Sequence, residues 1–196
     1  FNTDAALRHA EQMINEGVEI IDIGGESTRP GYTPVSEEEE IRRITPVIQA
    51  VKKRFSVPVS ADTYKSNVAA AALNAGADMI NDIWGLKYDN KMADVISQFS
   101  VPVCLMHNRK NNDYSDFVSD VIADLGESIE IAEAAGISKD KLILDPGVGF
   151  AKSHEQNLEI IYRLSELHTL GCPILLGTSR KSVIGNTLGL PPEERL

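Results

Sequence analysis

With 196 residues, 42% of them apolar and 24% charged, the chain has an ordinary globular composition and enough length for one buried core, which leaves no case for disorder or a fibrous repeat. A formal net charge of −10, with no stripe of Lys or Arg interleaved with aromatics, argues against a nucleic-acid partner. Cys104 and Cys172 stand in or beside apolar runs, as core residues rather than a disulfide framework, so a reduced, cytoplasmic setting is expected; no charged-then-apolar leader opens the chain, and no apolar run approaches the roughly 18 residues of a membrane span.

Helical and strand patterns alternate from the start. A helical period over Thr3 to Glu16 stops at Gly17, and the apolar run Val18 to Ile23 then reads as a buried parallel strand. Ser36 and Glu39 form an S-x-x-E capping box ahead of a helix from Glu37 to Lys53. Its glutamates Glu37 to Glu40 complement the helix dipole and read as a solvated face, and Pro46 should kink it. Strand Val57 to Ala61, helix Lys65 to Asn74 with its stop at Gly76, and strand Ala77 to Asn81 follow. Next come helix Asn90 to Phe99, strand Val101 to Met106, helix Tyr114 to Ala135 closed by Gly136, and strand Leu142 to Leu144. Ser153 and Gln156 box a helix from His154 to Leu167, Pro173 to Leu176 is the last strand, and a further helix begins near Lys181.

No linker breaks this alternation, so residues 1–196 read as one domain, either an open doubly wound sheet or a closed barrel. In an open sheet polar residues gather at one switch point, whereas here nearly every strand ends in a polar cluster, as in a barrel with its site at one mouth. The clusters are DIGGESTRPG (Asp22 to Gly31), SADTYKSN (Ser60 to Asn67), INDIWG (Ile80 to Gly85), LMHNR (Leu105 to Arg109), LDPGVGFAK (Leu144 to Lys152) and LGTSRKS (Leu176 to Ser182). A full (β/α)8 barrel takes about 250 residues. The chain therefore reads as a partial barrel of about six βα units, lacking the first and last strands, and a barrel opened in that way is expected to be inactive by itself.

In this order and at these separations the clusters resemble the dihydropteroate synthases: DIGGESTRPG, the Asp-Thr pair of SADT, the Asn-Asp pair of INDIWG, LDPG-x-GF and LGTSRKS all match. The resemblance implies a (β/α)8 barrel that joins 4-aminobenzoate to a dihydropterin methyl diphosphate and releases pyrophosphate on the route to folate. It also implies roles. Asp145 would take the pterin ring N–H and 2-amino group together, as a carboxylate can. Asn81 would meet the neighbouring ring edge, and Asp62 would lie by the ring nitrogen and stabilise a cationic pterin methyl intermediate. Lys181 would donate to the pterin carbonyl and border the aminobenzoate pocket, with Ile83, Met106, Gly177 and Phe150 as further pterin contacts. Thr28 and Arg29 would contact diphosphate, Pro30 and Phe150 would wall the aminobenzoate ring, and Ser182 would meet its carboxylate. Asp62, Lys181 and Arg29 are thus the candidate catalytic residues. Mg2+ is expected near the diphosphate on an asparagine from a strand preceding Phe1, so no metal ligand is expected within this chain. The resemblance further implies an Arg and a His on a strand beyond Leu196, and a homodimer.

Several other patterns point less far. Gly147 and Gly149 imitate a dinucleotide fingerprint but lack its third glycine. GTSRKS alone would suit any anion at a barrel mouth. Of His9, His107, His154 and His168, none has metal-ligand spacing with the cysteines, and only His107 stands at a strand end, as a candidate wall of the site. Tyr64 and Trp84 read as packing residues. Two rival functions remain: a methyltetrahydrofolate-binding domain of a corrinoid methyltransferase system, where the STRPG loop and the SRKS lysine are less expected, and an inactive pterin-binding paralogue, against which the intact motifs argue.

Overall fold

Five four-residue strands, each reached through a helix, form one sheet in the computed structural model, which describes residues 2–27 and 33–195; Thr28, Arg29 and Pro30 lie outside the described residues. Helix α1 (Thr3–Asn15) leads to β1 (Ile21–Gly24), α2 (Glu37–Arg54) to β2 (Val59–Asp62), and α3 (Ser66–Asn74) to β3 (Met79–Asp82). Helix α4 (Met92–Phe99) then leads to β4 (Val103–Met106), and α5 (Phe117–Ala134) to β5 (Leu142–Asp145). After β5 come α6 (His154–Tyr162), a 3-10 segment (Leu164–Leu170) and α7 (Ser182–Leu188).

Every pairing is parallel and the order is β1-β2-β3-β4-β5. That order decides the architecture. A doubly wound sheet reverses at its switch point, whereas a sheet that advances one strand per βα unit is an arc of a (β/α)8 barrel. Helices α1 to α4 pack side by side in the same sequence along the arc. Ile80, Val103, Leu105, Leu142 and Leu144 have no exposed surface and share one core cluster with Ile44, Ile48, Val68, Ile96 and Leu125 of the helices. These strands are therefore buried on both faces, which is why they read as apolar runs rather than alternating ones.

The structure corrects four expectations. The run Pro173 to Leu176 meets β5 only through a bridge between Leu144 and Ile174, with Leu144 N–H donating to Pro173 O (2.9 Å) and Leu175 N–H to Leu144 O (2.8 Å). Pro173 has no N–H to give, and among the described residues this segment pairs on one side only, so no full strand develops. The helix expected over His154 to Leu167 ends at Tyr162 and tightens into 3-10 turns, although its capping box is complete: Ser153 Oγ accepts from Gln156 N–H and Gln156 Oε1 from Ser153 N–H. At α2 only half of the box forms. Ser36 Oγ accepts from Glu39 N–H, but the Glu39 carboxylate turns to Arg42 and Arg43, and the helix continues through Pro46.

The fourth correction concerns Glu40, which is 2% exposed rather than part of a solvated face. It belongs to a buried ion cluster. Lys65 Nζ donates to Glu40 Oε2 (2.7 Å), Glu26 Oε2 (2.8 Å) and Val35 O (2.9 Å), while Glu26 also accepts from Val35 N–H (2.8 Å) and the Tyr64 hydroxyl (2.5 Å). An ammonium has three protons to donate, and here all three are placed. Buried charges are tolerated when paired in this way, and removing one partner strands the others. Lys65→Met in the full-length protein is therefore expected to cost about 3–5 kcal/mol of unfolding free energy in a denaturant titration. A loss below about 1 kcal/mol would show that the cluster does not hold the fold.

Candidate active site at the strand ends

Parallel register determines which side chains meet at the C-terminal edge. Asp22 stands opposite Ser60, Gly24 opposite Asp62, Asp62 opposite Asn81, and Met106 opposite Asp145. Asn81 Nδ2 donates to Asp22 Oδ2 over 3.2 Å. Gly24 leaves room for Asp62, since a Cβ at that position would lie 3.3 Å from Asp62 Oδ2. Asp62 Oδ1 is buried with no hydrogen-bond partner among the described residues. Burial, and then the charge of Asp22, push the Asp62 carboxyl up to about 8. Burial raises Asp22 as well, against the pull of Ser60 and Asn81. Two interacting carboxyls, with Asp62 withdrawn from water, favour holding a proton.

Asp145 closes β5 on the other side of the arc. Its Oδ1 accepts from Gly147 N–H (2.7 Å). Its Oδ2 faces Gly177, where a Cβ would lie 3.6 Å from that oxygen and 3.6 Å from Lys181 Nζ, so the glycine keeps a gap between carboxylate and ammonium. Burial raises Asp145, offset in part by the Gly147 N–H and the charges of Lys181 and Lys152. Burial lowers Lys181, against the attraction of Asp145. The Lys181 ammonium donates to Val148 O and lies 5.1 Å from the centre of the Phe150 ring. Phe150, Lys181 and Ser182 border one cavity of about 730 Å³, which Pro192 and Arg195 also line.

Ile83 and Met106 lie between these two groups and pack with Tyr64, Trp84 and Phe150 into a small apolar cluster. The two groups converge on one interior. Opposite Asn81 in register, the buried Cys104 thiol is pushed up by burial and by the charges of Asp145, Asp22, Asp82 and Asp62. Among the described residues, every candidate named from the sequence therefore falls at one end of the sheet.

Some residues behave otherwise than expected. Asp82, beside Asn81, turns away from the interior and accepts from Trp84 N–H (2.9 Å) and Leu86 N–H (2.8 Å), which shapes the turn where Leu86 has φ 69°; burial raises it to about 6. His107 is not a wall residue. It is 2% exposed, held between Asp124 and Lys152, and burial followed by the Lys152 charge lowers it to about 3, so its ring is neutral. Asp22 received no role from the sequence although a signal was present: a carboxylate between Ile21 and Ile23, inside a strand otherwise apolar, needs a reason to be there. Lys152, the last residue of LDPGVGFAK, carried no such signal.

The chain matches the family described as pterin binding enzyme over residues 1–196. It is 56% identical over 193 residues to the dihydropteroate synthase of Clostridium beijerinckii, which covers 98% of this chain and 72% of that relative. A solved dihydropteroate synthase of Clostridium difficile, obtained in the presence of pteroic acid, superposes with a TM-score of 0.97 at 49% identity over 98% of this chain and 74% of that one. Xanthomonas albilineans dihydropteroate synthase with 4-aminobenzoic acid gives a TM-score of 0.95 at 44% identity, over 99% of this chain and 71% of that one. Likeness of that degree, in sequence and in backbone together, leaves one assignment: the chain belongs to the pterin-binding enzymes and, within them, to the dihydropteroate synthases.

Proposed function

We propose that the amino group of 4-aminobenzoate captures the methyl carbon of a dihydropterin at this mouth as diphosphate leaves, giving dihydropteroate and pyrophosphate. The single observation that carries the reading is the acceptor pair Asp145 and Asn81 on either side of an interior kept open at Gly177. A pterin presents a ring N–H and a 2-amino group side by side, and Asp145 has Oδ2 and a second lone pair on Oδ1 left to receive them. Asn81 is oriented by its bond to Asp22, which leaves its carbonyl oxygen and second N–H for the adjoining ring edge. Lys181 gives up a single carbonyl to reach the pterin oxygen, and the cavity it shares with Phe150 and Ser182 suits an aromatic acid.

Asp62 supplies the electrostatic part. With Oδ1 buried and unpartnered among the described residues, its carboxyl is disfavoured as an anion until a positive charge develops on the pterin beside it, so it favours the cationic intermediate over the neutral substrate. Binding geometry and charge then suffice, with no protein nucleophile. For Thr28, Arg29 and Pro30, the diphosphate and ring contacts rest on the resemblance alone. So does Mg2+: among the described residues no group of three or more His, Cys, Asp or Glu side chains comes together as a metal cage, and no step here runs through the ion. A single pterin-binding domain, a homodimer and a cytoplasmic setting complete the proposal. No helix among the described residues is long and apolar enough to cross a membrane.

The full-length protein, given the dihydropterin methyl diphosphate and 4-aminobenzoate, is expected to release pyrophosphate and dihydropteroate in equal amounts. Asp145→Ala should weaken pterin binding at least about 100-fold in calorimetry, because each bond to a charged acceptor contributes about 1.5–3 kcal/mol. An unchanged Kd would remove Asp145 from the site. For Asp62, whose folded value of about 8 lies above its ordinary 3.8, the folded state holds a proton that the unfolded state has released between those two pH values. Stability relative to Asp62→Asn is thus greatest below about pH 4 and is lost as the pH rises to about 8. Parallel denaturation curves for parent and variant across that range would refute the assignment.

A further inference from the structure

Lys152 is a half-buried cation that none of the proposed steps uses. It follows the turn from Pro146 to Ala151 that joins β5 to α6, and its ammonium is fully engaged: Nζ lies 2.8 Å from His107 Nδ1 and donates to Gly147 O (3.1 Å) and Phe150 O (3.1 Å). Because an ammonium only donates, His107 Nδ1 is the acceptor and the ring proton sits on Nε2, 2.9 Å from Asp124 Oδ2 in α5. Asp124 also accepts from Arg109 Nε (2.6 Å), Arg109 lies 4.4 Å from the centre of the Tyr114 ring, and the Tyr114 hydroxyl donates to Ala151 O (2.8 Å). The turn is therefore gripped from within and from the α5 side.

What the turn carries makes that grip matter. Gly147 N–H fixes Asp145, Val148 O is the resting acceptor of Lys181, and Phe150 borders the cavity. Gly147 has φ 69°, and a Cβ on it would fall 2.0 Å from His107 O, so the turn is pressed directly onto the backbone behind β4. We propose that Lys152 is a positioning residue for the pterin site, acting with His107 through the carbonyls of Gly147 and Phe150 to hold Asp145, Lys181 and Phe150 in mutual register. The proposal rests on Asp145 being the pterin acceptor. It has an electrostatic part too, because the charge of Lys152 helps to keep Asp145 ionised.

The groups facing Lys152 are Asp145 from β5, Lys181 ahead of α7, Asp124 from α5, and Arg109 and His107 after β4. Burial pushes its ammonium down to about 7, so the comparison belongs below that pH, where the three donated protons are all present. The test uses full-length protein, 6-hydroxymethylpterin as the calorimetric probe, and thermal denaturation of every variant. Lys152→Met should weaken pterin binding at least about 10-fold and move the acid limb of binding to higher pH, since Asp145 loses a cation that lowers it. Lys152→Arg should leave that limb in place. His107→Ala should weaken pterin binding in the same direction, and the double variant should be no worse than Lys152→Met alone, as for two residues acting as one unit.

Asp145→Asn separates the two ideas. If it binds pterin like the parent, the reading of the site itself is wrong. If it loses binding while folded Lys152→Met stays within about two-fold of the parent, or if the Lys152 and His107 effects simply add, the positioning role is overturned. Should Lys152→Met fail to fold, unchanged pterin binding by His107→Ala overturns it equally.

Discussion

Carboxyl groups that burial makes costly to ionise gather at one end of this sheet. Asp22, Asp62 and Asp145 all stand where parallel strands finish, and burial raises each of them. Asp145 has a backbone N–H and two ammonium groups to hold it down, whereas Asp62 has an oxygen with no partner among the described residues and Asp22 for a neighbour. Register enforces this arrangement. A slip between β1 and β2 that brought Ile23 opposite Asp62 in place of Gly24 would set a side chain against its carboxylate.

Three lysines withdrawn from solvent, Lys65 buried and Lys152 and Lys181 half-buried, sort by what their protons meet. Lys65 faces two carboxylates and a carbonyl, and these bonds outweigh burial and raise it, as suits a permanent charge in the framework. Lys152 faces two carbonyls and a neutral imidazole, which satisfy its geometry without opposing its charge, and burial lowers it to about 7. Lys181 rests on Val148 O alone among its described acceptors. Of the three it loses least by turning to a ligand, which agrees with the role proposed for it at the pterin carbonyl.

Apolar period and helix caps suffice to place β1 to β5 within a few residues, because a strand buried on both faces has to be a short apolar run and its crossover has to be a helix. Barrel rather than open sheet was likewise legible, since polar residues end every strand instead of gathering at one point. What sequence could not show is which partner a polar residue meets. Glu40 looks like its three solvated neighbours until Lys65, from a different βα unit, is brought beneath it. Asn81 and Asp82 read as one motif, yet a strand sends consecutive side chains to opposite faces, so the first faces Asp22 and the second caps a turn. His107 follows a strand as a wall residue would, and only the approach of Asp124 and Lys152 shows it to be buried framework.

This division between framework and mouth bears on how the proposed reaction would proceed without a nucleophile. A site that neutralised Asp62 with its own lysine would hold the resting state comfortably and gain nothing when the pterin became positive. By burying that carboxyl beside another acid, with Oδ1 unpartnered among the described residues, the fold makes the resting state hold a proton that a cation would displace. In the proposed chemistry the interaction therefore strengthens only as diphosphate departs, and preference of that kind lowers a barrier, whereas equal affinity for substrate and intermediate would not. The paired clusters around Lys65 and Lys152 are the complement of this. Their ammonium protons go to Glu26, Glu40 and Val35 O at Lys65, and to His107, Gly147 O and Phe150 O at Lys152, so neither cation is spent on Asp62.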